Sequence, residues 1–168
     1  EEGDIVHTAV LPIGAGHVTA DLAIGLRPAI DVAEHIKLNH GMAQAKLVPR
    51  REDVDVSAAE EAGATPVRVS RQHVAEIIEA RMDELFKMVD RELRKVGRSG
   101  LLPAGVVLTG GGAKLPGVVD LAKDVFRLPA FLGLPLDLRT PIDKLHDSQF
   151  TTAVGLAQWL ATGAGGDA

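Results

Sequence analysis

Two groups of residues in this chain have types and spacing that could do chemistry. The first is Thr109-Gly110-Gly111-Gly112-Ala113-Lys114, which follows the apolar run Val106-Val107-Leu108 and precedes Leu115-Pro116-Gly117. Three successive glycines let a backbone turn sharply, expose N–H groups and admit a ligand closer than any Cβ would allow. Beyond Pro116 and Gly117, Val118, Val119, Leu121, Ala122, Val125 and Phe126 recur at helical spacing, so a helix is expected to start just past the turn. Its backbone donors and dipole favour an electronegative ligand such as a phosphate or a ribose. The run is neither of the two common nucleotide fingerprints. A P-loop requires Ser or Thr after its lysine, whereas Lys114 is followed by Leu115, and Asp124 is too close, and too deep in the expected helix, to be the acidic residue of a dinucleotide-binding turn. A tight strand-to-helix turn with no ligand accounts for the local pattern equally well.

The second group is Glu34 and Lys37, three residues apart and so on one face of an expected helix over 29–39. As a surface ion pair they would contribute a few tenths of a kcal/mol, by the order of magnitude for exposed pairs. Alternatively they border a ligand.

The elements that must position these residues follow from pattern. Residues 5–13, rich in β-branched side chains, are expected to form a strand ending at Gly14-Ala-Gly16. Val18, Leu22 and Leu26 recur every four residues, which predicts a helix over 17–26 that Pro28 ends. The 29–39 helix stops at Gly41, a natural residue past a helix end. Leu47-Val48, Val54-Asp-Val56 and Val67-Arg-Val69 are expected to be short strands of a small antiparallel sheet, with loops at 50–53 and 60–63. Ser70 suits an N-cap, and the stripe Val74, Ile77, Ile78, Met82, Leu85, Phe86, Val89, Leu93, Val96 predicts a helix of about 27 residues, roughly 40 Å long. A short strand over 130–134, a loop over 135–141 and a helix over 148–161, with Ala153, Leu156, Ala157 and Leu160 on one side, complete the chain.

Composition sets outer bounds. The chain has 168 residues, 46% of them hydrophobic and 24% charged, with a net charge of −5; this suits a folded globular protein and argues against nucleic acid as the main partner. Cysteine is absent, which excludes disulfides and thiolate metal sites. No apolar run is long enough to span a membrane and no signal segment opens the chain. The opening Glu1-Glu-Gly, without methionine, is read as the start of an excised piece, and 163–168 as a flexible tail. The order of elements suggests a discontinuous α/β lobe, 1–27 with 99–162, interrupted by a smaller α+β lobe over 28–98, with the glycine turn at the seam.

Several stretches taken together resemble the FtsA family of bacterial division proteins, within the actin-like ATPase superfamily (ribonuclease H-like fold). They are His7-Thr-Ala-Val-Leu-Pro-Ile-Gly14, Gly16-His-Val-Thr-Ala-Asp-Leu-Ala23, Ala33-Glu-His-Ile-Lys37 with His40-Gly41, Ser70-Arg-Gln-His-Val-Ala-Glu-Ile-Ile-Glu79, the glycine turn, and Phe150-Thr-Thr-Ala-Val-Gly155. They cover nearly the whole chain in the family's order. The resemblance implies the second half of such a protein, domain 2A with 2B as the inserted lobe, in which ATP lies in a cleft between halves. It makes Glu34 and Lys37 contacts to the ribose and base, with the lysine stem covering the base while its ammonium stays wet. Gly110, Gly111 and Gly112 would approach the nucleotide through backbone.

The family's phosphate-gripping Asp-x-Gly-Gly-Gly-Thr hairpin, first-half phosphate loop and metal-binding carboxylates have no counterpart here. The resemblance therefore implies no catalytic residue, no metal site and no ATP hydrolysis by this chain, with ATP and magnesium belonging to a weakly hydrolysing full-length protein. The family's 2B lobe receives the C-terminal peptide of the tubulin-like protein FtsZ, and Ile78-Glu-Ala-Arg-Met-Asp-Glu84 resembles its Ile-Glu-Pro-Arg-x-x-Glu. Arg81 and Glu84 would then clamp that peptide, although a solvated helix pair is the plainer reading. Also implied are self-association of the full-length protein into actin-like filaments and a cytoplasmic place at the inner face of the membrane at the division site, reached through an amphipathic helix absent here. The competing reading is a fragment of another actin-like ATPase, such as a pilus-assembly ATPase or a sugar-kinase relative.

Overall fold

The computed structural model describes residues 5–55, 68–135 and 142–161. In chain order its main elements are α1 (Ala15–Leu26), α2 (Ile30–His40), β1 (Asp53–Asp55), β2 (Arg68–Ser70), α3 (Arg71–Lys95), β3 (Val106–Leu108), α4 (Val118–Phe126), β4 (Ala130–Leu132) and α5 (Thr151–Ala161). The expected Val56 and Val67, the loop at 60–63, most of the loop at 135–141 and the tail lie outside the described residues.

The long helix α3 organises the molecule. Ser70 caps it by accepting from the His73 N–H at 3.4 Å, and Val74, Ala75, Ile78, Met82 and Phe86 form its buried stripe. Gly97, at φ 68°, lets the chain turn away after its last turn. Against that stripe pack Val18 and Leu22 of α1, Val32, Ala33 and Ile36 of α2, and Val118, Leu121, Ala122 and Phe126 of α4, in one continuous cluster. The Phe86 and Phe126 rings lie 5.3 Å apart, tilted by 57°. This core crosses both junctions of the segments 1–27, 28–98 and 99–162.

Two small sheets flank the helices. β1 and β2 pair antiparallel, Val54 opposite Val69, as two of the strands of the small antiparallel sheet expected from sequence. β3 and β4 pair parallel, Val107 opposite Phe131, with α4 as the crossover. Gly105 enters β3 at φ 80° with its backbone against Pro129, where a Cβ would stand 2.9 Å from the Pro129 carbonyl carbon.

Three local expectations are corrected. Residues 5–13 are not a strand: Val10 is 95% exposed, and among the described residues the backbone bond within the stretch is a local one, Ile13 N–H to Leu11 C=O. β-branched content makes a strand only where a neighbouring strand takes its N–H and C=O groups, and among the described residues none does. Leu47 lies in a 3₁₀ turn, Ala45–Leu47, rather than a strand, because the Ala45 N–H is taken by the Glu79 carboxylate at 2.7 Å. At the glycines the sharp turn expected from sequence is present, as a 3₁₀ turn over Gly111–Lys114. In α5 only Val154 is buried, and Leu156 and Leu160 face outward, because α5 packs chiefly on the turn that precedes it.

Candidate functional site

Residues from five separate stretches meet around a cleft of about 490 Å³. Ala15 and Val18 come from α1, Glu34, Lys37 and Leu38 from α2, Met82 from α3, and Gly111, Gly112, Lys114, Leu115, Pro116 and Gln149 from the glycine turn and the segment before α5. Four of the five residues expected at a nucleotide site, Glu34, Lys37, Gly111 and Gly112, thus line one cavity despite their separation in sequence. Such a volume and a mostly apolar wall with few polar groups suit a small organic ligand.

The fifth, Gly110, stands behind the cleft. Its N–H donates to the Ser148 carbonyl at 2.9 Å and its carbonyl accepts from the Ser148 hydroxyl at 3.1 Å. At φ 91° it makes the turn that presents Gly111 and Gly112. A Cβ on Gly111 would meet nothing within 4 Å, so that side of the turn is open to a ligand. Lys114, on the rim, forms an ion pair with Asp147. The Gln149 backbone N–H and the Lys114 ammonium hold the Asp147 carboxyl below the usual aspartate range.

Glu34 and Lys37 are more than a surface pair. The Lys37 ammonium, on a side chain 11% exposed, donates to Glu34 Oε2 at 2.6 Å, to Thr19 Oγ1 at 2.9 Å and to the Ala15 carbonyl at 3.4 Å. The Thr19 hydroxyl in turn donates to Glu34 Oε2. Burial raises the Glu34 pKa, but the bonds from Lys37 and Thr19 and the lysine charge outweigh it and hold the carboxyl below its ordinary value. The expectation of a wet ammonium is therefore corrected: α1 and Glu34 take up the Lys37 ammonium and leave the side chain little exposed.

Arg81 and Glu84 lie outside this cleft. Arg81 grips Asp21 of α1 with two nitrogens, Nη2 to Oδ1 at 2.8 Å and Nε to Oδ2, and reaches Glu84 at 2.6 Å through Nη1. Both ends of the interhelical pair are about one quarter exposed. The bond to Asp21, above all, raises the arginine pKa further. Glu84 is open to solvent beside a groove lined by Asp83, Lys87, Asp90, Arg91 and Arg94. The picture of a free charged pair is corrected for Arg81, which ties α3 to α1.

Sequence reasoning missed Thr19 and Asp21. The signal was their place: Thr19 and Asp21 are the two polar residues of 18–26, a stretch of helical spacing that is apolar elsewhere. It also missed Lys114 and Gln149 on the rim. Among the described residues, no group of three His, Asp or Glu side chains is placed to hold a metal, and no helix is long and apolar enough to cross a membrane.

Comparison with known proteins places the chain. The sequence model of the family described as "Cell division protein FtsA" matches residues 1–155. The chain is 43% identical over 159 residues to the cell division protein FtsA of Pseudomonas aeruginosa, covering 94% of the chain and 37% of that protein. It is 37% identical over 155 residues to FtsA of Neisseria meningitidis, covering 92% of the chain and 37% of that protein. FtsA of Bacillus subtilis is 34% identical over 165 residues, with 98% and 36% covered. The chain thus spans little more than a third of the curated relatives it matches. Among solved structures, MreB5 of Spiroplasma citri bound to ADP superposes with a TM-score of 0.68 at 19% identity, covering 95% of this chain and 48% of that one. The same protein bound to AMPPNP gives 0.66 at 18%, covering 95% and 47%. The fold is that of part of an actin-like protein.

Proposed function

The chain belongs to the FtsA family of cell division proteins, and from that premise we propose that its cleft is the nucleoside side of an ATP site and that the Arg81–Glu84 flank of α3 receives the C-terminal tail of FtsZ. The observation that carries the first part is the convergence of Glu34 and Lys37 on α2 with Gly111 and Gly112 across one cleft. A carboxylate can accept a ribose hydroxyl, a lysine stem can lie under a base, and a glycine with no neighbour in the place of its Cβ lets a sugar or phosphate approach the backbone. The structural neighbour MreB5 of Spiroplasma citri, solved bound to ADP, agrees in kind.

On this reading the chain divides as expected from sequence, 1–27 with 99–162 as the 2A-type lobe and 28–98 as the 2B-type lobe, with a shared core. The chain carries no Asp-x-Gly-Gly-Gly-Thr, and phosphates draw much of their binding from charge-assisted bonds. This chain therefore holds the nucleoside and leaves the phosphates and magnesium to other parts of an FtsA-type protein, and it does not hydrolyse ATP. Linking FtsZ to the inner face of the membrane, and self-association into filaments, are functions of the longer protein. Calorimetry with ATP tests the nucleotide claim. The expected result is binding in the high micromolar range or weaker, unchanged by magnesium, and tight magnesium-dependent binding would contradict it.

A further inference from the structure

We propose that Thr19, a threonine of α1 outside the wall of the cleft, is a positioning residue that commits one oxygen of Glu34 to the protein and leaves the other to accept a hydroxyl of the bound nucleoside, so that the site selects ribonucleosides over deoxyribonucleosides. The inference rests on the nucleoside reading of the cleft and adds to it the group that sets its specificity.

A donor and acceptor inventory carries the argument. Thr19 is 6% exposed and does not line the cavity, so it acts through its neighbours. Its hydroxyl has one proton, given to Glu34 Oε2, and lone pairs, one of which takes a proton of Lys37. Lysine has three donors, and those of Lys37 go to Thr19, Glu34 and the Ala15 carbonyl. None is left for a ligand. Glu34 Oε2 accepts from both Thr19 and Lys37, whereas Oε1 accepts no hydrogen bond among the described residues. Glu34 lines the cleft, and Oε1 is its open acceptor. An acceptor-only group reads a hydroxyl donor, and a ligand lacking that hydroxyl leaves it unsatisfied.

Thr19→Val keeps the shape of the side chain and removes both of its hydrogen bonds, whereas Thr19→Ser keeps both. Two readouts on the whole chain separate the possibilities. Ligand-observed NMR titrations with adenosine, 2′-deoxyadenosine and 3′-deoxyadenosine should show the wild type and Thr19→Ser favouring adenosine over one deoxy analogue by about tenfold, the low end for a hydrogen bond to a charged group. Thr19→Val should reduce that ratio to about twofold or less while adenosine still binds. Carbon-detected titration of the Glu34 carboxyl, without ligand, should show its pKa raised in Thr19→Val and kept low in Thr19→Ser.

An unchanged Glu34 titration in Thr19→Val, or an unchanged ribose preference, would overturn the role of Thr19. Failure of the wild type to bind adenosine at millimolar concentration would overturn the nucleoside reading, and the carboxyl titration would still decide whether Thr19 holds Glu34. Thr19→Ala, which also lacks the hydroxyl, serves if Thr19→Val does not fold.

Discussion

At the scale of single residues, Arg81 shows how a charge read as a binding group can also be structural. Its two-nitrogen grip on Asp21 joins α3 to α1, so Arg81→Glu would set two carboxylates against each other. We expect it to lower stability by about 2 kcal/mol, and the exchange Asp21→Arg with Arg81→Glu to recover much of that loss, in a double-mutant cycle of melting curves. Glu84 is exposed, so Glu84→Lys should shift stability by no more than about 0.5 kcal/mol. It should still weaken binding of a labelled FtsZ C-terminal peptide by about fivefold or more if the charged flank is the docking site; equal anisotropy titrations would place docking elsewhere. Asp90 gives a pH test. The Ser99 hydroxyl, above all, and then Arg94 hold its carboxyl below the ordinary value against the opposing effect of burial. A depressed folded-state pKa contributes stability above the unfolded value and loses it as pH falls through the folded one. Asp90→Asn should therefore melt below the wild type at pH 7, with the gap closing only as pH falls below about 4. A gap of constant size across that range would contradict the assignment.

At the scale of elements, what was legible in the sequence was what local pattern dictates. α3 could be placed within two residues at either end, since Ser70, the apolar stripe and Gly97 all act within its own length. The β-branched run over 5–13 misled because a strand is defined by a partner, which a local pattern does not supply. Gly41 was legible as a stop for the wrong reason. Its φ of −66° is open to any residue, but a Cβ there would overlap the Lys37 carbonyl and stand 2.9 Å from Leu115 and 3.2 Å from Ile78. Gly41→Ala should cost about 1–3 kcal/mol, the range for overpacking, as read by chemical denaturation; a variant as stable as the wild type would mean that α2 shifts freely against α3. Arg27, by contrast, ends α1 at φ 63°, a conformation glycine adopts without strain. Arg27→Gly should raise stability by up to about 1 kcal/mol, and a loss instead would mean that the arginine side chain contributes more than its backbone costs.

At the scale of the whole molecule, the site exists because one core packs α1, α2, α3 and α4 together. Glu34, Lys37 and the glycines could be picked out from the sequence by their chemistry and family pattern. The threonine that binds the charged pair could not, since nothing short of the α1–α2 crossing shows that Thr19 meets residues fifteen and eighteen positions on. The central claim is that this crossing and the glycine turn enclose a nucleoside. Its most direct test is an adenosine titration of the isotope-labelled chain followed residue by residue in amide NMR spectra. The account predicts saturable shifts centred on Lys37, Leu38, Gly111, Gly112 and Lys114, with the distant amides of β1 and β2 unmoved. No saturable shift at millimolar adenosine, or shifts centred on the outer face of β3 and β4, would contradict it.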